Sequence, residues 1–176
     1  MAMQIMNCTP DVLEEVVAAI SGAPQKEAAR QVARLFTEAG LTLKAKRHIM
    51  PQYGIVFRLQ CYIQKSKETV ILNTDGFDFI GMSVQVRIVN PDSLTKLDTL
   101  SVNIRKQILN GNDCRFCGDK CDGKRYQFTY NGTDYVKCHM LCSNFRFQVA
   151  DQDDVNSVTA LVAREIAYAA GKKKKG

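Results

Sequence analysis

The first forty residues carry apolar positions at the spacing of α-helices. Thr9 followed by Pro10 is typical of a helix N-terminus, because Thr caps the first turn and Pro fits the first helical position. Pro24 opens a second helix, and Gly22 and Gly40 predict where the two helices end. The apolar residues that share one face of each helix are Leu13, Val16, Val17 and Ile20 in the first, and Ala28, Val32, Leu35, Phe36 and Ala39 in the second.

Beyond Gly40 the apolar period changes from near 3.6 to two, which predicts strands. Asp75-Gly76 is typical of a hairpin turn, and the alternation slips by one residue at Gly81, which predicts a β-bulge. The predicted strands are 41–49, 55–63, 69–73 and the run that carries Phe77, Phe79, Met82, Val84, Val86 and Ile88. Together they predict an antiparallel meander with one apolar face.

Two more helices complete the predicted fold. Asn90-Pro91 predicts the start of a third long helix that ends at Gly111, and a last helix runs from about Asp154 to Ala170. The buried stripe of the third helix is Leu97, Leu100, Ile104 and Ile108. We therefore expect an α+β fold in one domain over 1–171, in which N-terminal, central and C-terminal helices flank the sheet, a cysteine-rich hairpin spans 112–147, and a disordered basic tail spans 172–176.

Composition and the lack of long apolar runs indicate the cellular compartment in which we expect the protein. Apolar residues make up 45% of the chain, as in globular proteins. No apolar run approaches the roughly 20 residues that span a bilayer, so we expect no membrane segment. The start of the chain lacks the basic region of a secretory signal. These features predict a cytoplasmic protein, in which thiols stay reduced and clustered cysteines indicate metal or redox chemistry.

Five of the seven cysteines lie close together and are the candidate metal ligands. The segment reads Cys-Arg-Phe-Cys-Gly-Asp-Lys-Cys and, after sixteen residues, Cys-His-Met-Leu-Cys; its cysteines are Cys114, Cys117, Cys121, Cys138 and Cys142. The span from Cys114 to Gly118 has the form of a zinc knuckle, in which two thiolates hold one ion at about 2.3 Å. Gly118 tolerates the positive φ that turns backbone N–H groups toward the sulfurs. Four thiolates in this pattern predict zinc.

A β-hairpin is predicted to bring these cysteines together. Asn131-Gly132 is the strongest signal for a two-residue type I′ turn, so Tyr130 pairs with Thr133. Continued outward without a bulge, the pairing places Cys121 opposite Cys142. Alternation then gives two faces: Tyr126, Phe128, Tyr130 and Tyr135 on the one expected to pack on the core, and Cys121, Arg125, Val136, Cys138, Met140 and Cys142 on the other.

The choice of the fourth ligand stays open. Cys138 and Cys142 are roughly 13 Å apart in an extended strand, so both bind one ion only if the chain turns between them. An unbroken hairpin favours Cys114, Cys117, Cys121 and Cys142. A bulge at Asp122-Gly123, or a turn at His139, would bring in Cys138 instead. His139 alternates to the aromatic face, which disfavours it as a ligand.

Two other chemistries suit the same cysteines. Four thiolates can hold an iron–sulfur cluster in place of zinc. The spacings Cys117-x3-Cys121 and Cys138-x3-Cys142 could also pair as two cross-strand disulfides, although a reducing compartment opposes them. Cys61 is separate, since it falls on the apolar face of a predicted strand and is expected to be a small buried apolar residue.

The cysteine segment, C-R-F-C-G-D-K-C followed by F-T-Y-N-G-T-D-Y-V-K-C, resembles families of hypothetical bacterial proteins in which a small α+β domain carries a hairpin of this kind. The likeness covers mainly residues 111–147. It implies a zinc-knuckle-like metal site and no particular activity.

The sequence predicts a binding protein rather than an enzyme. The chain has only two histidines, and no phosphate-binding loop, nucleophile elbow or His-Glu-x-x-His motif. A closed site of four thiolates has no open position for water or substrate, so it stabilises the fold and does not catalyse. We therefore predict a non-enzymatic module that binds a small molecule or a protein.

Two alternative functions remain. One is an iron–sulfur or thiol-redox protein, because five cysteines leave one thiol spare and the adjacent Arg125 would lower its pKa. The other is a nucleic-acid-binding protein of the zinc-ribbon kind. The chain carries a net charge of +6, to which Lys172 through Lys175 contribute four, and the cysteine segment adds further basic residues. Asp113, Asp119 and Asp122 dilute that basic patch, which argues against nucleic acid.

Overall fold

The computed structural model of the chain describes residues 3–64, 67–75, 82–111, 125–138 and 145–173. Helices and antiparallel strands are mixed along the chain, which confirms the α+β class. The elements in chain order are β1 Met3–Asn7, α1 Pro10–Ala18, α2 Ala23–Glu38, β2 Thr42–Met50, β3 Gly54–Gln64, β4 Lys67–Asn73, β5 Ser83–Val86, α3 Asp92–Thr95, a 3-10 turn Leu97–Thr99, α4 Val102–Asn110, β6 Arg125–Tyr130, β7 Thr133–Cys138, β8 Phe145–Phe147 and α5 Gln152–Lys173.

The strands form one sheet of six and a separate sheet of two. The larger sheet has the order β1-β2-β3-β4-β5-β8, and every neighbouring pair in it is antiparallel. Its centre, β2 to β5, is the predicted meander. The smaller sheet contains only β6 and β7 among the described strands. The cysteine-rich hairpin is thus outside the main sheet.

One face of the large sheet holds the hydrophobic core. Leu59, Cys61 and Val84 project from the strands and are fully buried, as are Phe36 of α2 and Val158 of α5. Helix α2 packs against both α5 and β2, so the N-terminal and C-terminal helices cover the same face of the sheet. The burial of Cys61 confirms its predicted role as a small apolar residue.

The predicted start of the first helix and the predicted end of the second are confirmed in detail. The Thr9 hydroxyl accepts the Val12 N–H at 3.4 Å, and Pro10 occupies the first turn of α1. Gly40 follows α2 with a φ of +62°, the left-handed conformation that glycine adopts without strain.

The prediction of one long helix after Asn90-Pro91 is wrong. The segment forms the short α3, then the 3-10 turn, and only then α4, which Ser101 caps by accepting the Ile104 N–H. Leu100 is extended, with φ −99° and ψ 155°, so it separates the turn from α4. The predicted stripe is nevertheless buried, since Leu97, Leu100, Ile104 and Ile108 are all members of the core. The Ser101 hydroxyl thus accepts a backbone N–H from the first turn of α4. In a continuous helix that N–H would bond a carbonyl of the preceding turn, and no cap would be needed.

Other differences concern the ends of the chain and the sheet edges. Strands β1 and β8, which form the two edges of the large sheet, were not predicted. Helix α5 continues through Lys173, two residues into the segment predicted as a tail. Gly76 and the predicted bulge at Gly81 lie outside the described residues. Within the described ranges, no helix combines the length and apolar character needed to cross a membrane.

Candidate metal centre

The cysteine-rich hairpin has the register that its turn residues predict. Asn131 and Gly132 both adopt positive φ, at 49° and 75°, as a type I′ turn requires. The ladder runs without interruption from Tyr130 opposite Thr133 to Arg125 opposite Cys138. The register that would place Cys121 opposite Cys142 is therefore confirmed as far as the described strands extend.

The predicted faces of the hairpin are also confirmed within its described strands. Phe128 is buried in the main core, and the other aromatic residues of its face, Tyr126, Tyr130 and Tyr135, pack against that core. The rings of Phe128 and Tyr135 stack with centroids 5.4 Å apart. Val136, on the opposite face, is 41% exposed. The hairpin thus rests on the domain through its aromatic side and presents the predicted cysteine side away from the core.

A buried lysine joins the base of the hairpin to helix α4. Lys137 is 2% exposed, and its ammonium donates a hydrogen bond to the Leu109 carbonyl at 2.5 Å. It also lies 5.4 Å from the centre of the Tyr135 ring, where a cation is favoured. Carbonyls in the last turn of a helix lack intrahelical partners, so the lysine satisfies a group that would otherwise need water. This contact holds the end of β7 beside the end of α4.

The hairpin is fixed at two further places. The Tyr126 hydroxyl donates to the Ile88 carbonyl, and its ring lies 5.6 Å from that of Phe145 in β8. Burial is the main cause that raises the pKa of Tyr126, so this phenol is a donor at neutral pH. Near the turn, the Tyr130 hydroxyl donates to Asp98 at 2.5 Å. The base and the tip of the hairpin are therefore both held against the domain.

Cys138 is the one predicted metal ligand within the described residues. It ends β7 and is 4% exposed, yet it does not belong to the main core cluster. It shares a hairpin face with Val136, which is largely exposed. The thiol is thus shielded on the side of the hairpin that points away from the core. Such burial is a feature of structural thiolate sites, in which the ligands are closed off from water.

The remaining predicted ligands, Cys114, Cys117, Cys121 and Cys142, lie outside the described residues, as does His139. The structure therefore does not test which four cysteines come together. Among the residues that it does describe, no group of three or more His, Cys, Asp or Glu side chains is arranged to hold a metal ion. Cys8 and Cys61 are distant in sequence from the segment; burial raises the pKa of Cys8 to about 11 and that of Cys61 well above its usual value.

Two features near the hairpin were missed from the sequence. Lys137 alternates to the aromatic face, and a lysine at an inward position of a strand is a signal that could have revealed its structural role. The second feature is a pocket of about 370 Å³, whose described lining is Val89, Pro91, Leu94, Arg125, Tyr126 and Gln127. Arg125 carries the only charge among those residues, and it lies directly opposite Cys138. No sequence pattern indicated this pocket, because it forms where β6 meets the chain after β5.

Glu165 stabilises the chain that forms one wall of this pocket. Its carboxylate is fully buried and accepts the N–H groups of Val89 and Asn90, at 2.8 and 3.0 Å, and the Ser93 hydroxyl at 2.7 Å. Burial raises the pKa of Glu165, and these hydrogen bonds oppose the rise. The carboxylate holds the segment before α3 in place rather than facing a substrate.

Comparison of the chain with family models, with curated proteins and with solved structures finds no match in any of the three.

Proposed function

We propose that this chain is a non-enzymatic binding protein of the cytoplasm whose cysteine-rich hairpin holds one zinc ion as a structural element. The observation that carries the proposal is the position of Cys138, a buried thiol at the base of a hairpin in the predicted register, on the side away from the core. A zinc ion bound there by four thiolates would organise a segment that has little apolar core of its own.

The described residues on either side of the cysteine-bearing segments lie together at the base of the hairpin. Arg125 pairs with Cys138, Leu109 accepts a hydrogen bond from Lys137, and the Phe145 ring contacts that of Tyr126. Leu109 is close to the last residue described before the first cysteine-bearing segment, and Arg125 and Phe145 are the first residues described after the first and second segments. The two segments therefore begin and end around the base of the hairpin.

Chain length then limits how far the cysteines can lie from that base. Cys114 follows Gly111 by three residues, Cys142 precedes Phe145 by three, and Cys121 precedes Arg125 by four. Since an extended chain spans at most about 3.6 Å per residue, each is within about 11 to 14 Å of a described residue at the base. This supports a shared site, because four sulfurs around zinc require only that the chain bring them to about 2.3 Å from one point.

The pocket beside Arg125 supports the binding role. Its apolar wall of Val89, Pro91 and Leu94 and the guanidinium of Arg125 suit a small anionic ligand with an apolar part. Because Arg125 and Cys138 are paired, a metal that fixes the base of the hairpin would also fix one side of this pocket. The proposed zinc is thus structural for the ligand site as well.

Elemental analysis of protein purified without added metal, paired with a count of reactive thiols, tests the proposal. We expect one zinc per chain, and we expect Cys138→Ser or Cys121→Ser to lower the zinc content and the melting temperature. Cys8→Ser is the matched control, since Cys8 is partly exposed and outside the segment, and it should retain zinc.

Three results would each reject the zinc site. Iron with absorbance near 400 nm would indicate the iron–sulfur alternative. Metal-free protein that lacks four of its seven thiols would indicate two disulfides. Metal-free protein with all seven thiols reactive after unfolding would leave the hairpin without any cross-link.

A further inference from the structure

Strand β1 is an exposed edge of the large sheet. Met3, Gln4, Ile5 and Asn7 are all exposed, and Met6 alone packs against the core. Met3 and Ile5, on the outer face, are 55% and 52% exposed. No described strand pairs with the far side of β1. A neighbouring segment could therefore reach this edge without displacing any described residue.

On that side, the backbone of β1 presents hydrogen-bonding groups that have no partner among the described residues. The Cys8 N–H donates to the Leu43 carbonyl at 3.1 Å, so the backbone N–H and C=O groups of Cys8 point toward β2. By the alternation of an antiparallel ladder, Gln4 and Met6 also bond toward β2, whereas the N–H and C=O groups of Met3 and Ile5 point outward. The edge ends at Asn7, whose carbonyl accepts the Thr9 N–H.

This edge lacks the features that normally prevent strand addition. Exposed edge strands are usually interrupted by a bulge or carry proline or charged residues. Met3–Asn7 contains none of those residues, and its five pairs with β2 run in unbroken register. A short apolar edge of this kind is a template for β-augmentation, in which an extended peptide adds a strand.

The charge around the edge is positive. Strands β1, β2 and β3 contain Lys44, Lys46, Arg47 and Arg58 and no carboxylate. Lys46 is directly opposite Ile5 in the ladder. Burial lowers the pKa of His48, and the nearby charges of Arg58 and Lys46 lower it further, as expected for a strand that carries several cations.

We propose that the outer edge of β1 binds an extended, acidic segment of a partner protein, which adds to the sheet as a seventh strand. Backbone groups of Met3 and Ile5 supply the ladder, the exposed Ile5 side chain contacts apolar residues, and Lys44 and Lys46 attract the carboxylates. A second copy of this chain is disfavoured as the occupant, because antiparallel pairing of two β1 edges would bring two sets of these lysines toward each other.

A blocked seven-residue peptide that alternates Glu and Val is the probe, with binding measured by fluorescence anisotropy at low salt. Two peptide controls separate the contributions: one with every backbone nitrogen methylated, which cannot form a ladder, and one with Lys in place of Glu. We expect each control to bind at least about tenfold more weakly. On the protein, we expect slower hydrogen exchange at the Ile5 amide when the peptide is bound.

Ile5→Pro is the decisive variant. Proline removes the outward N–H of residue 5 but leaves the inward bonds of its neighbours to β2, so the sheet is preserved and the peptide should bind at least about tenfold more weakly. Ile49→Thr is the control, because Ile49 is equally exposed, at 53%, but lies in β2 beyond the residues that pair with β1 and on the opposite face of the sheet. Its affinity should stay within about twofold.

Several outcomes would overturn the proposal. Equal binding of the methylated peptide, or no binding of the unmethylated one, would exclude strand addition of an acidic segment. Binding without added protection of the Ile5 amide would place the peptide elsewhere. A dimer of the free chain in sedimentation experiments that Ile5→Pro converts to monomer would identify a second copy as the occupant.

Discussion

The ammonium of the buried Lys137 lies 2.5 Å from the carbonyl of Leu109, although 28 residues separate them in the chain. The contact connects the strand that ends at Cys138 with the helix that ends just before Cys114. It is therefore a hydrogen bond between the helix that precedes the first cysteines and the hairpin strand that carries Cys138, and it contributes to the position of the hairpin without any metal.

Lys137→Met should destabilise the fold. The substitution preserves most of the apolar length of the side chain but leaves the Leu109 carbonyl without its donor, at a cost of about 1–3 kcal/mol in the free energy of unfolding. Urea denaturation measures this change. Lys106→Met is the matched control, since Lys106 lies on the same helix and is exposed, and it should change stability by less than about 0.5 kcal/mol. Equal effects of the two variants would show that the buried contact contributes nothing.

The turn of the hairpin gives a second prediction. Gly132→Ala should destabilise the protein by about 1 kcal/mol, because residue 132 has a φ of +75° and alanine is strained there. Gly171→Ala should instead be neutral or stabilising, since Gly171 lies in helix α5 and an added Cβ meets nothing within 4 Å. Thermal denaturation of the two variants checks the opposite signs. A stabilising Gly132→Ala would contradict the type I′ turn.

Two short sequence signals show why parts of the fold were predictable. Asn131-Gly132 determines the hairpin register locally, because few other residues adopt two successive positive φ angles. Thr9-Pro10 likewise specifies the start of α1 without help from the rest of the chain. Where a local backbone preference decides the structure, the sequence is sufficient.

The predictions from sequence failed where contacts between residues far apart in the chain determine the local structure. The break at Leu100 depends on Ser101, whose hydroxyl donates to Asp154 and whose N–H donates to Ser157, both more than fifty residues away. Strand β8 has only three residues and exists because it pairs with β5. For the candidate metal centre, the spacing of the cysteines predicted a site, and the structure describes only Cys138 of the five. The zinc site therefore stays a prediction supported by the hairpin register.

Glu165 gives a pH-dependent prediction. Because burial raises the pKa of this carboxyl above its usual 4.5, the folded chain binds the proton more tightly than the unfolded chain does. Its contribution to stability is thus fully present below about pH 4.5 and is lost as the pH rises through the folded pKa. Glu165→Gln removes this titration while preserving an acceptor for Val89 and Asn90. The wild-type stability minus that of the variant should then be larger at pH 4 than at pH 8.

Calorimetric melting of both proteins between pH 4 and pH 8 measures that difference. Glu15→Gln is the control for replacing a carboxyl group by an amide, since Glu15 is exposed on α1. A difference that grows with pH would mean that the hydrogen bonds from Val89, Asn90 and Ser93 outweigh burial at Glu165.

Thiol reactivity gives a further prediction, which also makes the metal assay easier to interpret. Burial raises the pKa of Cys8 from 9.0 to about 11, so its thiolate is about 100-fold scarcer at pH 8 and alkylation slows in proportion. Cys61 is fully buried and should react more slowly still. Iodoacetamide labelling followed by mass spectrometry measures both rates. Labelling of Cys8 in the native chain as fast as in the urea-unfolded chain would contradict the burial of its thiol.

The separation of β6 and β7 from the large sheet has an evolutionary consequence. The chain leaves the main fold after α4 and returns at β8, and the side chain of Gln107 holds those two points together by bonding both the N–H and the carbonyl of Gln148. Phe128 is the only described hairpin residue among the fully packed members of the core. A shorter connection between those two points could thus replace the hairpin without breaking any strand pair of the large sheet, so the sheet and the cysteines are free to change separately.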